Sequence, residues 1–155
     1  MKRNARVLCA LIVVLVVAGT AGVARADDAS LAGTVATWSL KILPAAKALQ
    51  NVNASSTQAQ VRGRALALQR VAQNAANAIA SQTASSAKGR SAKAKAQTAF
   101  ADYAQSGKLM ASAIASLGSA PKAQIVAKIN KAVALAKEGS TLPVQAGKLL
   151  AQLAK

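Results

Sequence analysis

Apolar side chains recur along this chain in steps of three and four, the spacing of one helix face. Leu31, Val35, Trp38, Ile42, Ala45, Leu49 and Val52 form a first seam, and Val61, Ala65, Leu68, Ala72, Ala75 and Ile79 a second. Phe100, Tyr103, Gly107, Met110, Ile114 and Leu117 form a third, and Val126, Ile129, Val133 and Ala136 a shorter fourth. No stretch alternates apolar and polar for long, as a half-buried strand would. Helix punctuation stands between the seams. Ser55 with Gln58 predicts a capping box. Gly89 and Ser91 mark the gap before the third helix. Gly118, Ser119 and Pro121 predict a C′ glycine, an N-cap and a first-turn proline. Gly139, Ser140, Thr141 and Pro143 repeat that stop-start signal. The pattern predicts helices over 29–52, 56–84, 91–117, 120–138 and 142–154, with Pro44 kinking the first or splitting it at Leu43. Short connections predict antiparallel neighbours. The expected fold is all-α: an up-and-down antiparallel bundle of about four helices plus a short C-terminal helix.

Upstream of the seams the pattern changes. Lys2, Arg3 and Arg6 precede an unbroken apolar run from Val7 to Ala18, and Ala24-Arg25-Ala26 follows with small residues at the −3 and −1 positions. That order reads as a secretory signal peptide over residues 1–26, cut after Ala26, with Ala24 and Ala26 as the recognised residues. The remainder, 27–155, is expected to be one helical-bundle domain. Without paired arginines before the run, the general secretory route is expected. The alternative is an uncleaved signal anchor, since residues 7–24 carry no charge and just reach spanning length. A lipoprotein signal is disfavoured because Cys9 lies inside the apolar run. Export places the chain outside the cytoplasm, either secreted or in the periplasm or cell envelope; retention would make it membrane-anchored through 7–24.

Composition then narrows the chemistry. The segment after Ala26 holds 35 alanines in 129 residues, and only 29 are Leu, Ile, Val, Phe, Met, Trp or Tyr. Alanine is the best helix former. An alanine seam lets helices approach closely but buries little area, so at roughly 25 cal/mol per Å² its hydrophobic term is modest. Cys9 is the only cysteine and there is no histidine. A disulfide framework and a Cys/His metal site are thereby excluded.

The acids are Asp27, Asp28, Asp102 and Glu138. None share a helix face, so a carboxylate pair for acid–base work or a hard-cation site is not expected. Asp102 reads as a solvated helix residue and Glu138 as a polar residue near a helix end. Ser85-Ser86-Ala87-Lys88 matches S-x-x-K, but the S-D-N and K-T-G elements that accompany it in penicillin-interacting enzymes are missing. Gly147-Lys148 lacks the upstream glycine and the following Ser/Thr of a phosphate-binding loop. No catalytic residue, cofactor or metal is expected, and the chain is not expected to be an enzyme.

Charge is the strongest remaining signal. Lys2, Arg3, Arg6 and Arg25 lie within the first 26 residues and all four acids beyond them, so the remainder carries 16 basic and 4 acidic residues, a formal +12. The densest group is Lys88, Arg90, Lys93 and Lys95; Arg62, Arg64 and Arg70 form a second; Lys122, Lys128, Lys131 and Lys137 spread along the fourth seam. Such an excess favours anionic partners, here an anionic cell-envelope polymer or lipid surface, with Lys88, Arg90, Lys93 and Lys95 as contacts. Export argues against intracellular nucleic acid, and Trp38, Phe100 and Tyr103 lie on apolar seams as core rather than stacking platforms. The basic group also reads as a solvated loop and helix start. Alternatively, the seams serve a helical protein partner or a homo-oligomer, and charge serves solubility. Asn53-Ala54-Ser55 is an N-glycosylation sequon that also suits linker chemistry.

Overall fold

The computed structural model describes residues 26–53 and 55–151. They form four helices: α1 (Ala26–Gln50), α2 (Gln58–Ala80), α3 (Ala87–Ala115) and α4 (Lys122–Ala151). No strand occurs among the described residues. Lys2, Arg3 and Arg6, the apolar run after them and Ala24 lie outside them; Ala26 opens α1 and is exposed.

Side-chain contacts fix the helix directions. Ser30 Oγ donates to Gln82 Oε1 at 3.0 Å, while Arg64 Nη1 donates to Ala48 O at 3.1 Å, so α1 and α2 run antiparallel. Lys93 Nζ reaches Ala80 O at 2.9 Å while Gly107 lies against Ala65, so α2 and α3 do the same. Ser106 Oγ donates to Ala132 O at 2.7 Å while Gly139 lies against Ala99, which sets α4 antiparallel to α3. α3 is the central helix, packed extensively on both α2 and α4. α1 lies chiefly on α2 and meets α3 and α4 sparingly.

The second seam is buried as read, from Ala65 through Leu68, Ala72 and Ala75 to Ile79. The first seam buries Leu31, Val35 and Ile42 and half-buries Trp38, Ala45 and Leu49. In α3, Phe100, Tyr103 and Gly107 are buried as expected, and Ala92, Ala96, Ala99, Ala104, Ala111 and Ala113 join them. A helix covered on two sides needs small residues on both. A Cβ at Gly107 would stand 2.6 Å from Ala65 O and 2.7 Å from Gln69 N; one at Gly139 would stand 2.9 Å from Ala99 O. These glycines admit the neighbouring backbone itself.

Six expectations are corrected. Among the described residues there is no separate fifth helix: α4 runs unbroken from Lys122 to Ala151 through Gly139 and Pro143. Gly139 is a close-approach position rather than a stop, and Ser140 and Thr141 hydroxyls donate back to Lys137 O and Glu138 O. The fourth seam is shifted, with Ile125, Ala132, Gly139 and Ala146 buried at steps of seven and Val126 exposed. Pro44 does not split α1, which continues through it to Gln50; buried Ile42 and Ala46 on either side dock the interrupted turn. The capping box is Thr57 with Gln60, because Asn53 Oδ1 already engages Ser55 N and Ser55 Oγ. Likewise Ser86, not the Gly89–Ser91 gap, caps α3, its hydroxyl accepting from Gly89 N at 2.8 Å. Gly118 does sit in the left-handed region that favours glycine, at φ 86°, just past the end of α3. Ser119 does not cap α4; its hydroxyl turns back to Ser116 O.

Candidate functional site

The basic group expected to meet an anion surrounds the α2–α3 turn. Lys88 and Lys95 are seven residues apart on α3 and share a face; Arg90 and Lys93 lie on roughly the opposite face by helix geometry. The structure therefore does not gather the four into one patch. Lys88 and Arg90 are exposed, Lys93 and Lys95 half-buried. Arg90 Nη1 donates to Ser85 O at 2.8 Å, and Lys93 Nζ to Ala80 O at 2.9 Å and Gln82 O at 2.5 Å. Two of the four cations thus hold turn carbonyls.

Lys93 belongs to a wider pattern that sequence reasoning missed. It is the seventh residue of α3 and neutralises the carbonyl end of α2. Arg64, the seventh residue of α2, donates to Ala48 O at 3.1 Å and Asn51 O at 3.4 Å at the carbonyl end of α1. Lys128, the seventh residue of α4, donates to Ser112 Oγ at 3.2 Å and Ser116 Oγ at 3.3 Å at the end of α3. Two turns into an antiparallel partner is where a side chain comes level with the preceding helix terminus, which carries a partial negative charge. The signal was present as a cation at a fixed distance from the starts of α2, α3 and α4.

Asp28 occupies the complementary position. Its carboxylate is 2% exposed, accepts from Ser85 N at 3.1 Å and Ser86 N at 3.3 Å, and so caps the positive end of α3. A Cβ at Gly89 would fall 2.1 Å from Asp28 Oδ1, so Gly89 makes room for that carboxylate. Asp27 accepts from Ser85 Oγ beside it. Ser85 and Ser86 of the S-x-x-K match are therefore engaged in capping.

The remaining acids come together across α3 and α4 rather than along one helix. Asp102 is half-buried, and burial first, then the charge of Glu138, raises its carboxyl above the ordinary 3.8. It is thus not a fully solvated residue. It faces a shallow cleft whose other polar walls are Gln69, Gln73, Gln105 and Lys108. Amides, one carboxylate and one ammonium can hydrogen-bond a polar molecule but present no activated nucleophile. Burial also raises the Tyr103 hydroxyl above 10.0. No cluster of three potential metal-ligating side chains exists among the described residues, and no described helix is long and apolar enough to cross a membrane.

Beyond these engaged cations, Lys47, Arg62, Arg70, Lys108, Lys122, Lys131 and Lys137 are exposed, and together they draw on all four helices. Compared with known proteins, the chain matches no family model, no curated protein and no solved structure.

Proposed function

We propose that this chain is an exported, non-catalytic helical bundle of the cell envelope or extracellular space, held to an anionic polymer or lipid surface by dispersed positive charge. The observation that carries this reading is the distribution of exposed lysine and arginine over every helix, opposed by only four acids. One of those acids, Asp28, is buried against α3. Contact is electrostatic and unspecific in shape, so screening weakens it over roughly 0.1–0.5 M salt. The exposed cations Lys47, Arg70, Lys131 and Lys137 contribute beside Lys88. Delivery is by the signal segment cut after Ala26. The test is fractionation of expressing cells with washes of rising salt. Release in that range, at lower salt for a variant with Lys47, Arg70, Lys131 and Lys137 changed to Gln, supports the reading. Retention that only detergent breaks contradicts it and assigns attachment to residues 7–24 as an uncleaved anchor.

A second reading, a helical interaction or self-assembling module, is favoured by the outward face of α1. Ala29, Gly33, Ala36 and Leu40 are all exposed there, Leu40 by 50%, and a Cβ at Gly33 would meet no atom. Sedimentation in high salt separates the two, since only this module keeps its assembly when charge is screened.

A further inference from the structure

We infer that α1 is a releasable strap: it leaves the α2–α3–α4 core as one unit while that core stays folded, and Asp28 at the first turn of α3 is its catch. Four independent features carry this. α1 rests chiefly on α2, whereas α3 is gripped by α2 and α4 along most of its length. The core helices interlock through backbone at Gly107 and Gly139; a Cβ at Gly33 of α1 would meet no neighbouring atom. Pro44 removes one internal hydrogen bond from α1, as Pro143 does from α4, so both depend on docking to persist, and α1 has the sparser docking of the two. Polar contacts fasten it at both ends, with Asp27, Asp28 and Ser30 on the α2–α3 turn and Arg64 on the carbonyls of Ala48 and Asn51.

Between those fastenings only Leu31, Val35, Ile42 and Ala46 are buried apolar side chains, while Trp38 and Leu49 are half-covered and Leu40 is exposed. α1 buries as many residues as α2, but it packs on its neighbours far more sparsely than α3 does and its end contacts can be removed, which marks a segment that opens below the free energy of global unfolding. The inference is independent of what the basic surface binds.

Hydrogen exchange by mass spectrometry on the purified protein tests it. Amides of α1 exchange as a block at least about tenfold faster than those of α3 beyond its first turn. Asp28→Ala accelerates α1 by about a further tenfold, the scale of losing hydrogen bonds to a charged acceptor, and leaves α3 and α4 within about twofold. Equal protection of α1 and α3 in the wild type overturns the inference. So does an Asp28→Ala protein in which all helices lose protection together, or in which α1 is unchanged.

Discussion

Where α3 meets α2 and α4, backbone approaches backbone at two glycines alongside the side-chain contacts; where α1 meets its neighbours, side chains reach across. Gly107 and Gly139 bring main chains together so closely that no Cβ fits. α1 is instead fastened by a buried carboxylate at one end and by a guanidinium at the other. The two solutions respond differently to change. Backbone cannot step aside, so an added methyl group there displaces whole helices. A carboxylate at the end of a side chain can swing away, and its loss is felt locally. Alanine-rich surfaces are thus held in two ways within one small fold, and the difference divides it into a rigid three-helix core and an attached strap.

Substituting glycines breaks that comparison most sharply. Gly107→Ala costs about 3 kcal/mol, measured by denaturant titration, because the new methyl meets Ala65 O and Gln69 N. Gly33→Ala, in an exposed helix position with open space, stabilises by up to about 1 kcal/mol. Gly89→Ala falls between them. Its methyl meets the Asp28 carboxylate, which gives way, so about 1–2 kcal/mol is lost from α1 docking with the core transition unmoved.

The cations at the seventh helix positions come next. Lys93→Met removes a charge from the end of α2 and lowers stability by about 0.5–1 kcal/mol, less in high salt. Lys88→Met, exposed on the other face of α3, changes stability negligibly, which separates the fastening cation from the surface one. A small, pH-dependent effect is that of Asp102. Burial and Glu138 raise its folded pKa above 3.8, so the folded chain binds that proton more tightly than the unfolded chain. Its charged form therefore costs stability at neutral pH. That cost fades as pH falls through the folded value and is gone below 3.8. Asp102→Asn raises the melting temperature slightly at pH 7 and leaves it unchanged near pH 3.

The helical class and the second seam were legible because Leu68 and Ile79 mark a face that alanines only extend. α4 was not, since a glycine before Ser-Thr reads equally as a helix stop or as a close-approach point, and only the ring of Tyr103 and Ala99 O decide which. Its true buried face, Ile125, Ala132, Gly139 and Ala146, has one large apolar residue and three small ones, too little to outweigh Val126 and Ile129 in a hydrophobic pattern. Ala92, Ala96 and Ala99 carry no periodic signal in a chain where alanine is everywhere. Of the candidate contacts, Lys88, Arg90, Lys93 and Lys95 read as one cluster because sequence proximity hides helical rotation. The role of Asp28 was not legible, since nothing in its neighbours reveals the turn 57 residues later that it caps.

The most direct test uses Trp38, the only tryptophan in the chain, half-buried on α1 with Lys41 Nζ 4.5 Å above its ring. Its fluorescence reports docking of the strap, and far-ultraviolet circular dichroism reports all helices. Denaturant titration followed by both should give separate transitions, tryptophan first, with most helical signal surviving it. Coincident transitions with one midpoint would mean that α1 and the other three helices form a single cooperative unit, and would contradict a separately releasable α1.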